Sequence, residues 1–191
     1  WPFLSDTPPV VVDWLPWSHT FGGNFNFNMV LANSGTMYID DGKPMPGLFE
    51  NTLRNLREIS PTMYFNVPCG FDLLLPHLQS DEALRRRFFS RCQLVFYAAA
   101  SLPANVWAGF EQLAQAERGG DMALVSAWGA TETAPMAAAV HYPGSQSGVV
   151  GLPVPGCEIK LVPSAGKLEA RLRGPNITPG YWQLPEQTRD A

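Results

Sequence analysis

The sequence predicts an α/β fold, a mostly parallel sheet with flanking helices followed by the start of a small β-rich subdomain. Three observations carry this reading. Short β-branched or aromatic runs alternate with amphipathic stretches as far as residue 128. Past about residue 142 the pattern turns to Gly, Pro and Ser and then to alternating apolar and polar residues. A hydrophobic content of 46% over 191 residues is enough for a sizeable core, so the chain is expected to be globular.

The elements follow in order. "PVVVDW" (9–14) is a buried strand, and "SHTFGGN" after it reads as a polar, Gly-rich turn. "TMYIDDG" (36–42) is a second strand ending in turn residues. "GLFENTLRNLREI" places Phe49, Leu53 and Leu56 at helical spacing with charges between them. "TMYFNV" (62–67) is the third strand, and Pro68 opens a helix through "GFDLLLPHL". "DEALRRRFF" (81–89) is a short helix with acids at its start and arginines towards its end, as the helix dipole favours. "QLVFYAAAS" (93–101) is the fourth strand. Pro103 then starts a helix with Val106, Phe110, Leu113 and Ala114 on one face, ended by Gly119 and Gly120. "MALVSAW" (122–128) is the fifth strand. "CEIKLVP" and "KLEARLRGP" alternate like half-exposed antiparallel strands, and the expected division is an α/β unit over 1–147 and a β-rich unit over 148–191.

Charge and cysteines narrow the function classes. A net charge of −4 with no broad basic face argues against nucleic acid as partner, so any phosphate must be held locally. Arg85, Arg86, Arg87 and Arg91 spread around a helix while Phe88 and Phe89 turn inward, which describes a solvated helix better than an RNA surface. Cys69, Cys92 and Cys157 are far apart and in no metal spacing, which points to structural thiols in a reducing compartment, the cytoplasm. Neither a membrane span nor a signal peptide is apparent, and oligomeric state is open. The chain starts at Trp1 and stops after "PEQTRD", which reads as a piece of something longer.

Ligands of open parallel sheets bind at the carboxyl ends of the strands. Three strand ends carry unusual loops, "DWLPWSHTFGG", "YAAAS" and "AWGATET". In the last, Gly129 permits close backbone approach, Trp128 offers a stacking face, Thr131 can donate to a phosphate oxygen and Glu132 can ligate Mg²⁺. The same residues also fit a strand ending in a turn, with Thr131 as a helix cap. Ala98, Ala99 and Ala100 can let a flat ring lie on the backbone or simply pack a strand against the Pro103 helix. His19 can polarise a carboxylate or act as acid or base, and equally can cap or pack. No serine–histidine–aspartate order can be assigned, and the phosphate-binding patterns "GxGxxG" and "GxxxxGK[ST]" are absent, against a Rossmann dehydrogenase or P-loop kinase.

"AWGATETAP" resembles the signature of the adenylate-forming enzymes, the superfamily of acyl-CoA synthetases, luciferases and nonribosomal adenylation domains. "LPWSHTFGG" is similar to the family's Leu-Pro-x-x-His segment and "YAAASLP" to its Gly-Ala-Ala-Pro-Leu-like segment. "GLPVPGCEIKLVP" and "GKLEARLRGPNITPGYW" resemble the segments that open its small β-rich subdomain, so the resemblance runs along nearly the whole chain in order. The fold it implies is a fragment of the acyl-CoA synthetase-like N-terminal domain. "DWLPWSHTFGGNFNFNMVLANSGTMYIDDGKP" and "YFNVPCGFDLLLPHL" look most like feruloyl-CoA synthetases, with medium-chain and aryl acyl-CoA synthetases as the nearest competitors.

The resemblance implies an acid–CoA ligase that uses ATP, Mg²⁺ and CoA on an aromatic carboxylic acid. It places Trp128 against adenine, Thr131 at the α-phosphate and Glu132 on Mg²⁺, with His19, Thr131 and Glu132 as the catalytic set. Ala99, Ala100 and Ser101 would border adenine and the acyl group, although the family more often has Gly at Ala98 and Pro at Ser101. His19, Phe21, Gly22, Ala127 and Gly129 would border the acyl group and its carboxylate. The family's Ser/Thr/Gly-rich phosphate loop, its ribose-binding Asp and its C-terminal catalytic lysine have no counterpart in these residues, so the 191-residue chain alone is expected to be inactive. The competing class is a non-catalytic relative that senses nucleotide or acyl groups, against which the pair Thr131 and Glu132 weighs.

Overall fold

The computed structural model describes residues 2–190 apart from 121, 141 and 143–145. Parts of the Gly-, Pro- and Ser-rich stretch after residue 140 therefore lie outside the described residues. Strand β1 (Val10–Asp13) pairs in parallel with β2 (Thr36–Ile39). β3 (Met63–Asn66), β4 (Leu94–Tyr97) and β5 (Ala123–Trp128) form a parallel run in that order. Thr62 joins the two groups, its N–H donating to Val10 O at 2.8 Å and its Oγ1 accepting from Val10 N–H at 2.8 Å. Two short strands, β6 (Ala138–Ala139) and β7 (Leu152–Pro153), extend the sheet past β5 in antiparallel sense.

The two-residue alternation of strand side chains explains why Met63–Phe65 and Leu94–Tyr97, buried on both faces, are apolar at every position. Tyr64, Val95 and Tyr97 point to one face, which Leu53, Phe71, Leu78, Phe88 and Phe110 cover. These come from α2 (Phe49–Glu58), α3 (Pro68–Ser80), α4 (Glu82–Phe89) and α5 (Ala104–Arg118). Met63, Phe65, Leu94 and Phe96 point to the other face and pack with Val11, Phe21 and Val125. The start of α4 is held by Asp81, whose Oδ1 accepts from Leu84 N–H at 3.0 Å. Phe88 and Phe89 are in the core and Arg86, Arg87 and Arg91 are exposed, as a solvated helix face requires, whereas Arg85 is half-buried and pairs with Glu117 at 2.6 Å.

The segment expected to be a Gly-rich turn is a turn only as far as Thr20 and is helical from Phe21. Phe21–Phe27 forms a π-helical turn, with Phe25 N–H reaching Thr20 O at 3.0 Å, and runs on into α1 (Asn28–Ala32). Its glycines serve close approach: a Cβ on Gly22 would lie 2.6 Å from the carbonyl oxygens of both Leu15 and Pro16, and one on Gly23 would overlap Trp17 O. The fourth strand also stops earlier than expected, at Tyr97. Ala98–Ser101 leaves the sheet, with Ala99 in the left-handed region at φ 78°. β8 (Glu158–Ser164) and β9 (Lys167–Arg173) form the anticipated antiparallel hairpin.

Asp13 ties β1 to the helical segment. Its Oδ1 accepts from Leu15 N–H at 2.9 Å and its Oδ2 from Asn26 Nδ2 at 2.8 Å. Burial pushes the Asp13 carboxyl up to about 6, against the pull of those two hydrogen bonds. A folded-state pKa above the unfolded one means the native chain binds the extra proton, so this group's contribution to stability is present below the unfolded pKa and is lost as pH rises through the folded one. The loss totals about 3 kcal/mol over the full titration, about 2 kcal/mol of it between pH ~4 and ~6. Urea unfolding across that range is expected to show a falling stability that Asp13→Asn flattens; parallel profiles for the two proteins would contradict the assignment.

Candidate active site

One cavity of about 590 Å³ opens at the carboxyl ends of the parallel strands, where the three unusual loops meet. The loop after β1 supplies His19 and Phe21, the loop after β4 supplies Ala99, Ala100 and Ser101, and the end of β5 supplies Ala127, Trp128, Gly129, Thr131 and Glu132. Residues as far apart in the chain as His19 and Glu132 thus share one wall system. Gly22 is the exception. It does not line the cavity but is buried against the Leu15 and Pro16 carbonyls, where its lack of a side chain lets the helical segment seat.

His19 has both characters weighed from the sequence. Its Nδ1 accepts from Phe21 N–H at 3.1 Å, holding the start of the helical segment, which leaves Nε2 as the ring nitrogen able to donate to a ligand. Phe21 continues into an aromatic group that the sequence reading did not assemble. Phe25 and Phe96 stack at 5.5 Å with their planes 29° apart, and Phe21 meets Phe96 at 5.5 Å. Phe25 and Phe96 line the cavity with Met136 and Val149. The spacing of Phe21 and Phe25 at i, i+4 would have signalled this had the segment been read as a helix.

The other end of the cavity is polar and more exposed. Trp128 is 39% exposed and lines the cavity, so its indole can meet a stacking partner there. Thr131 opens a one-turn 3₁₀ helix (Thr131–Thr133) rather than capping it; Ala130 holds the cap position. Thr133 locks the turn, its Oγ1 accepting from Ala130 N–H at 2.9 Å and lying 2.7 Å from Pro135 O, to which it donates. Glu132 Oε1 accepts from the Tyr181 hydroxyl at 2.7 Å, which holds the Glu132 carboxyl below its usual range and raises the Tyr181 phenol. Glu132 O accepts from Thr178 N–H at 2.8 Å, and Asn176 Nδ2 donates to Thr133 O at 3.0 Å and Met136 O at 2.9 Å. Asn176 and Tyr181 lie in "GKLEARLRGPNITPGYW", which resembles a family segment, but their action on this loop was not legible in the sequence, because the loop is 40 or more positions away.

Glu132 is the one carboxylate among the described residues lining the cavity, and the described residues contain no cluster of three or more metal-ligating side chains. Such a donor set suits a Mg²⁺ that arrives with substrate phosphates and keeps most of its ligands from them and from water. No helix of the described residues is long and apolar enough to cross a membrane.

A parallel sheet with three strand-end loops around one cavity defines a small-molecule-binding α/β unit. Residues 3–182 match the family described as AMP-binding enzyme, and the chain belongs to that family, within the adenylate-forming superfamily. It is 28% identical over 199 residues to a long-chain-fatty-acid–CoA ligase of Escherichia coli O6:H1, a match covering 98% of this chain and 32% of that protein. It is 29% identical over 160 residues to an anthranilate–CoA ligase of Pseudomonas aeruginosa, covering 78% of this chain and 27% of that protein. A solved malonyl-CoA ligase, in a ternary product complex with methylmalonyl-CoA and AMP, superposes with a TM-score of 0.74 at 28% identity over 96% of this chain and 38% of that one. The fold is thus the α/β fold resembling the N-terminal domain of acyl-CoA ligases, and the chain spans about a third of the length of the curated relatives it matches.

Proposed function

We propose that the chain is part of an ATP-dependent acid–CoA ligase that adenylates a hydroxycinnamic, ferulate-like acid and passes the acyl group to CoA, releasing AMP and pyrophosphate. One observation carries the reading: a single cavity joins an aromatic end, built on Phe21, Phe25 and Phe96, to a polar end bearing Trp128, Thr131 and Glu132. A flat acid suits the first and a nucleotide phosphate the second. On this reading residues 1–147 form the α/β unit and 148–191 begin a β-rich one, and the protein works in the cytoplasm.

The roles follow from chemistry. Trp128 stacks on adenine, with Ala99, Ala100 and Ser101 as a low wall beside it. His19 donates from Nε2 to the acid's carboxylate, and Gly129 and Ala127 leave room for it. Thr131 donates to the α-phosphate, and Glu132 holds the cation that neutralises phosphate charge. The carboxylate oxygen attacks the α-phosphorus as the bond to pyrophosphate breaks, and the CoA thiolate then attacks the acyl carbon as the bond to AMP breaks. The protein contributes in-line positioning and charge stabilisation.

A medium-chain or aryl acyl-CoA synthetase is the second reading, favoured by the names of the relatives, a long-chain-fatty-acid–CoA ligase and an anthranilate–CoA ligase. The test restores the family's flanking segments and follows AMP and thioester with ATP, Mg²⁺, CoA and ferulate, p-coumarate, benzoate or octanoate. Preference for ferulate and p-coumarate is expected. Preference for benzoate or octanoate would keep the chemistry and discard the substrate, and no AMP with any acid would favour a sensing protein.

A further inference from the structure

We propose that Tyr181 is a positioning residue that grips one carboxylate oxygen of Glu132 and thereby presents the other to the divalent cation carried by the nucleotide. The proposal rests on the reading of Glu132 as the metal-binding carboxylate.

The geometry argues for a built support. Three groups of one short segment act on the same turn: Asn176 Nδ2 holds the carbonyls of Thr133 and Met136, Thr178 N–H holds the carbonyl of Glu132, and the Tyr181 hydroxyl donates to Glu132 Oε1 at 2.7 Å. The first two fix the backbone from which the glutamate springs. Tyr181 fixes the side chain, whose free rotation would otherwise have to be frozen whenever a cation bound.

Tyr181 is itself anchored. Its N–H donates to Thr188 Oγ1 at 2.9 Å, and Thr188 Oγ1 in turn donates to Leu184 O at 2.9 Å. Leu184 N–H returns to Tyr181 O at 3.1 Å, so the tyrosine sits in a closed turn at the head of the last helix, Pro185–Asp190. The chemistry of the donor also matters. A neutral phenol orients the carboxylate without cancelling its charge, whereas an arginine or lysine there would compete with the metal. A hydroxyl on Oε1 leaves Oε2 free, so Glu132 could supply one ligand to a Mg²⁺ that would keep its others from phosphate and water.

The test is made in a ligase of full family length carrying residues 1–191, with Tyr181→Phe, Tyr181→Leu and Glu132→Gln. Mn²⁺ binding is measured by electron paramagnetic resonance in the presence of α,β-methylene-ATP, beside the Mg²⁺ dependence of pyrophosphate release and the KM for the acid. Tyr181→Phe, which removes only the hydroxyl, is expected to weaken Mn²⁺ binding roughly tenfold and raise half-saturating Mg²⁺ to match, with KM for the acid within about twofold. Tyr181→Leu should do the same, and Glu132→Gln should weaken Mn²⁺ more. Wild-type Mn²⁺ affinity in Tyr181→Phe with a loss in Glu132→Gln overturns the proposal alone. A loss confined to Tyr181→Leu also overturns it, since the ring and not the hydroxyl would then matter. Wild-type affinity in Glu132→Gln overturns the metal reading beneath it.

Discussion

Glu132→Gln is expected to lower the rate of acyl-adenylate formation by about 100-fold or more while leaving acid binding within about twofold. The substitution is nearly isosteric, and the glutamine carbonyl can still accept from the Tyr181 hydroxyl now 2.7 Å from Glu132. Thr178 N–H and Asn176 Nδ2 hold the backbone of the turn irrespective of the side chain at 132. The loss is therefore one of charge. On the proposed reading, a neutral amide would hold the nucleotide-borne cation less well, and the deficit would be felt most as charge develops on the departing pyrophosphate. The aromatic end of the cavity, at Phe25 and Phe96, is untouched, which is why the acid should still bind. Pyrophosphate release and calorimetric titration with ferulate separate the two effects, and intact turnover would show that the metal is held elsewhere.

Gly129→Ala is expected to cost about 3 kcal/mol of stability and to abolish activity with it. A Cβ there would overlap the carbonyl oxygen of Pro135 and lie 2.6 Å from Thr133 Oγ1. Neither neighbour can retreat. Ala137 N–H donates to Trp128 O at 2.9 Å and Val154 N–H to Ala137 O at 3.0 Å, which pins the returning strand, and Thr133 Oγ1 is already committed to Ala130 N–H and Pro135 O. Relief would break the bonds that hold the Thr131–Thr133 turn beside the cavity. Gly120→Ala is the control, because none of the described residues lies within 4 Å of a Cβ at that position, and it should fall within about 0.5 kcal/mol of wild type. Urea unfolding of the three proteins decides it: equal stability at 129 and 120 would mean that the loop has slack.

Several features of this site were legible because they are local. A strand buried on both faces reads as a mainly apolar run, so "TMYFNV", "QLVFY" and "ALVSAW" declared themselves, and the amphipathic stretches between them declared the helices. The order of those elements leads to the parallel sheet, and the strand ends then mark where a ligand would sit. Glycine misled at Gly22 and Gly23, since pattern alone favours a turn there; only the carbonyls of Leu15, Pro16 and Trp17 show that the residues are small because a helical turn passes over them.

By itself, then, the sequence determined the α/β class, the succession of strands and helices, the three loops and the family, all written in local periods and motifs. The tertiary structure alone decided which side chains complete the cavity and what holds its polar rim. Phe25 and Phe96 meet only because a helical segment folds back over β4, β6 and β7 are two-residue strands too short to show a period, and Asn176 and Tyr181 reach a loop more than 40 positions away. Hydrogen bonds between distant loops leave no periodic trace, because their geometry is set by how the whole chain packs and not by the residues beside them.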